Sequence, residues 1–224
     1  MNGLLEGKKI LVMGVANKRS IAWGCAQVMA QQGATLIFTY QNERMKKSLA
    51  KLVNDDDRLI ECDVAADENI EKAFTEVQKQ FGKIDGIVHA IAYADRNELQ
   101  DDVMKTTREG YNLAQDISAY SLIAVARYGQ KILNHPGSIV TLTYMGSVRA
   151  IPNYNAMGIA KAALESAVRY LARDMGKDNI RVNAISAGAM KTLAVTGVAD
   201  HSALLAESER RTVDQHSVTL EEIG

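Results

Sequence analysis

Apolar residues in this chain gather into short unbroken runs, separated by stretches where they recur every three or four positions. The runs are Lys9-Ile-Leu-Val-Met13, Thr35-Leu-Ile-Phe-Thr-Tyr40, Arg58-Leu-Ile-Glu-Cys62, Ile84-Asp-Gly-Ile-Val-His89, Ser138-Ile-Val-Thr-Leu-Thr143 and Arg181-Val-Asn-Ala-Ile-Ser186. They predict six buried strands. Between them, Ser20 caps a helix with Ile21, Cys25 and Val28 on one face, and Gly33 closes it with a left-handed turn. Residues 41–53 are polar and helical. Glu68 to Gln80 carries Ile70, Phe74 and Val77 on one face, and Phe81 continues the stripe. Asp95 to Lys105 is a polar loop. Thr106-Thr-Arg-Glu109 is a capping box, which predicts a helix reaching about Leu133. Pro136-Gly137 then turns the chain into the fifth strand, and a further helix spans about Tyr154 to Met175. Strands alternating with helices predict an α/β fold, a Rossmann-like doubly wound parallel sheet with helices on both faces, in a single domain over residues 1–224.

Two segments depart from this rhythm. Ala189 to Arg211 is loop-like and then weakly helical, and is placed to cover a site. Thr219-Leu-Glu-Glu222 is another capping box, but Gly224 closes the sequence inside the first turn, and one turn does not hold itself. The sequence therefore reads as C-terminally incomplete, with a final strand missing.

In such sheets ligands bind at the carboxyl ends of the strands, near the point where the strand order reverses. Gly14, Asp63, Ala90, Tyr144 and Ala187 all follow strand ends. The turn from Gly14 to Ser20 lies between a strand and a helix, where a dinucleotide fold holds its phosphates, on helix N–H groups and the Ser20 hydroxyl. It departs from G-x-G-x-x-G, since only Gly14 and Gly24 remain, and by itself it also fits an ordinary strand-to-helix connection. Tyr154 and Lys161, seven apart, fall on one helix face. An ammonium beside a phenol favours negative charge on its oxygen and makes the proton easier to give up. Tyr144 brings a second phenol to the same place. Small residues in Ala90-Ile-Ala-Tyr-Ala94 suit either the approach of a flat ligand or tight strand–helix packing.

Composition narrows the classes. Of 224 residues 47% are apolar and 24% charged, with a formal net charge of −1, ordinary values for a soluble domain that give no reason to expect nucleic acid as a partner. No run approaches a membrane span, and the start lacks the long apolar segment of a signal peptide, so the expected setting is cytoplasmic, without a membrane. Cys25 and Cys62 read as small core residues, and four scattered histidines give no metal-ligand spacing.

Several stretches together resemble the short-chain dehydrogenase/reductase superfamily and, more closely, the bacterial enoyl-[acyl-carrier-protein] reductases of the FabI type. They are Met13-Gly-Val-Ala-Asn-Lys-Arg-Ser-Ile-Ala22, Phe38-Thr-Tyr40, Cys62-Asp-Val64, His89-Ala-Ile-Ala92, Thr107-Arg-Glu-Gly110, Leu113-Ala-Gln-Asp-Ile-Ser118, Asn153-Tyr-Asn-Ala-Met-Gly-Ile-Ala-Lys-Ala162 and Arg181-Val-Asn-Ala-Ile-Ser-Ala-Gly188. The Tyr-to-Lys spacing discriminates within the superfamily. Most members use Tyr-x-x-x-Lys, but Gly158 stands four residues after Tyr154, whereas the enoyl reductases use Tyr-x6-Lys with an upstream tyrosine. The resemblance implies that Gly14, Ser20 and Ile21 line the cofactor phosphates. It places Gln41 at the adenosine ribose, Asp63 and Val64 at the adenine, and Ile91 along the nicotinamide half. Met190, Lys191, Thr192, Leu193 and Ala194 fall on the nicotinamide side, Ala94 at the acyl pocket, and Lys161 on the nicotinamide ribose. Three departures stand out: Ala189 replaces the usual Pro, Tyr93 replaces a frequent Phe, and the family continues with a further helix and strand.

The resemblance thus implies reduction of the trans-2 double bond of an enoyl thioester, carried on acyl carrier protein or coenzyme A, by a cytoplasmic homotetramer. Tyr144, Tyr154 and Lys161 are the catalytic candidates: Tyr154 donates to the enolate oxygen, Lys161 holds the cofactor and Tyr144 shapes the acyl side. NADH is expected over NADPH, because uncharged Gln41 and Asn42 stand where a 2′-phosphate needs cations. Of Arg44, Lys46 and Lys47 on the next helix, only Arg44 is expected to reach back. The rivals are a ketoacyl or alcohol dehydrogenase of the same superfamily, against which the Tyr-to-Lys spacing speaks, and a nucleotide-binding regulatory protein without turnover.

Overall fold

The strands β1 (Lys9–Met13), β2 (Thr35–Tyr40), β3 (Leu59–Glu61), β4 (Ile84–His89), β5 (Leu133–Thr143) and β6 (Ile180–Ser186) form one sheet. Its order is β3-β2-β1-β4-β5-β6 and every pairing is parallel. This is the strand order of the doubly wound dinucleotide fold. The computed structural model describes residues 3–53, 58–100, 102–190, 192 and 201–224, apart from the side chains of residues 201 and 204.

The helices are α1 (Ile21–Gln31), α2 (Glu43–Leu49), α3 (Asp67–Phe81), α4 (Arg108–Gln115), α5 (Ser121–Gly129) and α6 (Asn155–Gly176). Alternation along β1 divides the core between the two sheet faces. Ile10 and Val12 pack with Ala22 and Ala26 of α1 and Leu49 of α2. Leu11 and Met13 pack with Ile70, Phe74 and Val77 of α3, Leu122 and Val125 of α5, and Leu164 and Val168 of α6. The first helices therefore cover one face and the later ones the other, and the sheet changes hand between β1 and β4. Cys25 and Cys62 are buried free thiols, and burial pushes Cys62 up to about 12. Among the described residues no helix is long and apolar enough to cross a membrane, and no group of three or more His, Cys, Asp or Glu is placed to hold a metal ion.

Several local expectations change. The buried face of α1 is Ala22, Gly24, Cys25 and Ala26, while Ile21 and Val28 are only partly buried. Small residues let this helix lie close to its neighbours. Its end is the expected left-handed one: Gly33 has φ +92°, its N–H donates to Ala30 O, and the Ala34 N–H donates to Met29 O, the paired bonds of a Schellman motif. The cap of α4 is Thr107, not Thr106. Its hydroxyl accepts from Gly110 N at 3.0 Å. The reciprocal carboxylate is Glu98, nine residues upstream, which accepts from Thr107 N and from Thr107 Oγ1 at 3.0 and 2.6 Å. Gly110 is needed there, because a Cβ would stand 2.3 Å from the Glu98 side chain.

The single long helix expected from Thr106 to Leu133 is interrupted by a π-helical turn, Asp116–Tyr120. The polar loop before it contains two 3₁₀ turns, Arg96–Glu98 and Val103–Lys105. β5 begins earlier than expected, at Leu133, and bulges through Pro136-Gly137: Ile84 pairs with Leu133, but Gly86 pairs with Ser138. The capping box at Thr219 forms as expected over the turn Leu220–Ile223. That turn is held by tertiary packing rather than by its own length, since Leu220 lies against Gly24 and Gly224 against Val28.

Candidate active site

Gly14 leaves β1 with φ +98°, and a Cβ on it would stand 2.1 Å from Ala90 O. Only glycine therefore lets the first turn lie directly on the segment that follows β4. Ser20 occupies the position before α1, but its oxygen accepts from no helix N–H. It accepts instead from Ala16 N and Asn17 N, each at 3.0 Å. Those bonds shape the loop and leave the hydroxyl proton as the group to offer an anion. The N–H groups of Ile21 and Ala22 open α1 toward the same turn, as helix N-termini do at phosphates. A flush glycine turn, an oriented hydroxyl and a helix N-terminus together fit the phosphates of a dinucleotide.

Two more of the cofactor candidates meet at the ends of β2 and β3. Gln41 Nε2 donates to Asp63 Oδ2 at 3.3 Å, and Asp63 Oδ1 accepts from Ala65 N. Val64 is buried in the core next to them. The expectation about the neighbouring cations needs correction. The cation seen against the end of β2 is Lys46, with its Nζ 5.5 Å from the centroid of the Tyr40 ring. On the other side Ile91 packs against the main core. Met190 and Thr192 are buried just past the end of β6. Lys191, Leu193 and Ala194 lie outside the described residues, as does 195–200. The far end of the expected covering segment is a helix, His201–Arg211.

The aromatic pair is built by β5, the turn after it and α6. Tyr144 follows β5, and Tyr154 stands before the first residue of α6. Their rings meet edge to face at 5.2 Å and 75°. Gly146 makes that possible, because a Cβ there would come within 2.5 Å of the Tyr154 ring. Lys161 is 6% exposed, and its Nζ donates to Leu142 O at 2.7 Å. Burial lowers its pKa to about 8, against the opposing charge of Glu165.

The phenol's expected acidity is reversed. Burial, with the Tyr144 phenol beside it, raises the Tyr154 pKa above the ordinary tyrosine value, and burial raises Tyr144 as well. Desolvation outweighs the attraction inferred from spacing. Tyr154 is therefore a protonated hydrogen-bond donor at neutral pH.

The residues beneath this pair were not singled out from the sequence. His89, fully buried at the end of β4, contacts Thr141 Oγ1 through Nδ1 at 3.0 Å and Ser121 Oγ through Nε2 at 2.9 Å. Burial, with Lys161 nearby, lowers its pKa to about 3, so the ring is neutral. Ser121 Oγ also donates to Ile117 O, and Ser118 Oγ both accepts from Tyr93 N and donates to Tyr93 O. The π turn is thus stitched to the strand end. Glu165 Oε1 accepts from Thr143 Oγ1 and Ser147 Oγ at 2.7 and 2.6 Å. Its place four residues after Lys161 was the available sequence signal. Ala94 packs with Leu99, Met157, Ala160 and Tyr154 in a small apolar cluster, and Glu98 holds the loop carrying Leu99 to the start of α4.

Comparison with known proteins gives a consistent pattern. A sequence profile of the family described as Enoyl-(Acyl carrier protein) reductase matches residues 14–224. The chain is 59% identical over 220 residues to the enoyl-[acyl-carrier-protein] reductase [NADH] FabI of Enterococcus faecalis, covering 98% of this chain and 88% of that protein. It is 47% identical to the enoyl-[acyl-carrier-protein] reductase [NADPH] FabI of Staphylococcus aureus, over 98% of this chain and 88% of that one. The crystal structure of the Bacillus cereus enoyl-acyl carrier protein reductase with NADP+ and indole naphthyridinone superposes with a TM-score of 0.96 at 46% identity, covering 99% of this chain and 88% of that one.

Proposed function

Because the chain belongs to the enoyl-(acyl carrier protein) reductase family, we propose that Tyr144, Tyr154 and Lys161 form its reaction centre at the carboxyl end of the sheet. The chain is an enoyl-[acyl-carrier-protein] reductase of fatty acid synthesis and reduces the double bond of an enoyl thioester. The observation that carries the residue assignment is the edge-to-face tyrosine pair at the start of the helix that carries the buried Lys161.

A reduced nicotinamide, when bound, supplies the hydride that reaches the β-carbon. Negative charge then gathers on the thioester oxygen as an enolate. Tyr154, protonated and held by packing, donates a hydrogen bond where that charge develops. Lys161 binds the nicotinamide ribose and adds positive potential. Gly14, Ser20 and Ile21 bind the phosphates, Gln41, Asp63 and Val64 the adenosine, and Ile91 with Met190 and Thr192 the nicotinamide side. The same role is proposed for Lys191, Leu193 and Ala194. Ala94 lines the acyl pocket with Leu99 and Met157. The deciding assay is thioester-dependent loss of NADH absorbance. Turnover of an enoyl thioester supports this reading, turnover of a ketoacyl thioester alone makes the chain a ketoacyl dehydrogenase, and binding without turnover makes it a regulatory protein.

NADH is the proposed cofactor. The Gln41–Asp63 pair puts a carboxylate beside the ribose corner, where a 2′-phosphate would meet its charge. Lys46 at Tyr40 works the other way, but it is a flexible point charge rather than a planar fork. We expect NADH to be favoured by at least about tenfold in kcat/KM, roughly 1.4 kcal/mol, and Gln41→Arg to narrow or reverse the preference. Equal use of both cofactors by the unmodified protein would overturn this. The Staphylococcus aureus relative, whose name specifies NADPH, makes the comparison direct.

The proposed assembly is a homotetramer. Tyr111, Tyr120, Ile123, Ile159 and Tyr170 stay exposed on α4, the π turn, α5 and α6, helices that pack side by side. Such an apolar area is what a second copy would cover. Light scattering should give four times the chain mass, and a monomer mass at micromolar concentration refutes the proposal.

A further inference from the structure

The turn that presents Tyr144 has little apolar burial of its own. Met145 and Val148 are 37% and 76% exposed. Within the turn the Ser147 N–H donates to Tyr144 O, and the Val148 and Arg149 N–H groups donate to Met145 O. Gly146 and Gly158 lie close, since a Cβ on Gly158 would stand 2.9 Å from Gly146 O. The bonds within the turn define its shape, and the Gly146–Gly158 contact sets its closest approach to α6. Glu165 adds the polar tie between the two. One carboxylate oxygen accepts from Thr143 Oγ1, the residue before Tyr144, and from Ser147 Oγ, three residues after it. Bonds of 2.6–2.7 Å to a carboxylate are in the charge-assisted class.

We propose that Glu165 is a positioning residue for the reaction, holding Tyr144 against Tyr154 by gripping the two hydroxyls on either side of it. This rests on the reading of Tyr144 as part of the acyl-thioester site. Glu165 follows Lys161 by one helical turn, so the same face of α6 carries the cofactor-binding amine and the anchor of the second phenol. The hydroxyl of Tyr144 is then set by two bonds to α6 rather than by the exposed loop that continues from it. The carboxylate also acts on Lys161, which neutral His89 on β4 faces as well, and its charge opposes the desolvation of that amine. The two effects are separable: glutamine keeps an acceptor oxygen for both hydroxyls but loses the charge, and alanine loses both.

The test is a background comparison. With crotonyl-coenzyme A and saturating NADH, Glu165→Ala should lower kcat/KM about tenfold in the natural protein but less than about twofold in Tyr144→Ala, because neighbours acting through one group are not additive. Glu165→Gln should keep at least half of the activity, and the NADH dissociation constant of Glu165→Ala should stay within about twofold. Equal losses in both backgrounds, or Glu165→Gln as poor as Glu165→Ala, overturn the proposal. A loss that merely reflects weaker folding would appear in both backgrounds. A natural protein inert toward every enoyl thioester is a failure of the functional reading instead. The anchor is then judged by amide hydrogen exchange over residues 144–148: faster exchange in Glu165→Ala but not in Glu165→Gln supports it, and unchanged exchange in both overturns it.

Discussion

Tyr154→Phe is expected to lower kcat for enoyl-thioester reduction by about 10²–10³ while leaving dinucleotide affinity almost unchanged, the scale for losing one donor to a developing oxyanion. The substitution keeps the ring, so the edge-to-face contact with Tyr144 and the packing on Gly146 survive. Only the hydroxyl goes. Its proton is held tightly, because burial raises the phenol pKa, so the group works as a donor that need not ionise. The loss should therefore be the same across the neutral and mildly alkaline range, with no ionisation of Tyr154 in the pH profile. Steady-state kinetics and a calorimetric NADH titration check both parts. Natural turnover in the variant removes Tyr154 from the mechanism.

Lys161→Met is expected to reduce kcat/KM by at least about 10² and to weaken NADH binding, yet to make the fold more stable at pH 7. The amine is 6% exposed and its pKa falls from the ordinary 10.5 to about 8. The folded state therefore holds this proton less tightly than the unfolded chain. Below about pH 8 both states bind it, and the folded protein carries the full penalty of a buried charge, on the order of 3 kcal/mol. Between about pH 8 and 10.5 the unfolded chain binds more protons, so this group's contribution to stability rises with pH and the penalty disappears. Methionine fills similar space without charge but loses the bond to Leu142 O, worth about 1 kcal/mol. The net gain at pH 7 should be about 1–2 kcal/mol, shrinking toward pH 10. Urea unfolding at several pH values measures it. A variant less stable than the natural protein at pH 7 would show that the ammonium is well solvated or paired. In the free enzyme kcat/KM should fall as pH rises through about 8, as the amine loses its proton.

What the sequence made legible follows from the range of the interactions. Strands β1, β2 and β4 were readable to the residue, because each is a short run dense in apolar and β-branched residues between helical segments. The stripe Ile70, Phe74, Val77 likewise lies buried as its spacing demands. Spacing also found Tyr154 and Lys161, which are neighbours along one helix. It could not show what lies across from them. The cap of α4 moved by one residue because its carboxylate, Glu98, comes from the preceding loop. The long helix broke because its Ser118 and Ser121 answer to Tyr93 and His89 on another element. The phenol's acidity was misjudged for a related reason, since a helical spacing shows a charge nearby but not the absence of water.

The contact between Leu220 and Gly24 makes α1 a shared support. Its first turn faces the Gly14–Ser20 loop, and its fourth residue carries the turn Leu220–Ile223. A ligand that orders the first turn and a contact that orders residues 219–224 act on the same rigid rod. Whatever free energy one lends the other must be returned in equal measure. Protection of the amides in 219–224 should therefore report on dinucleotide that they do not themselves bind.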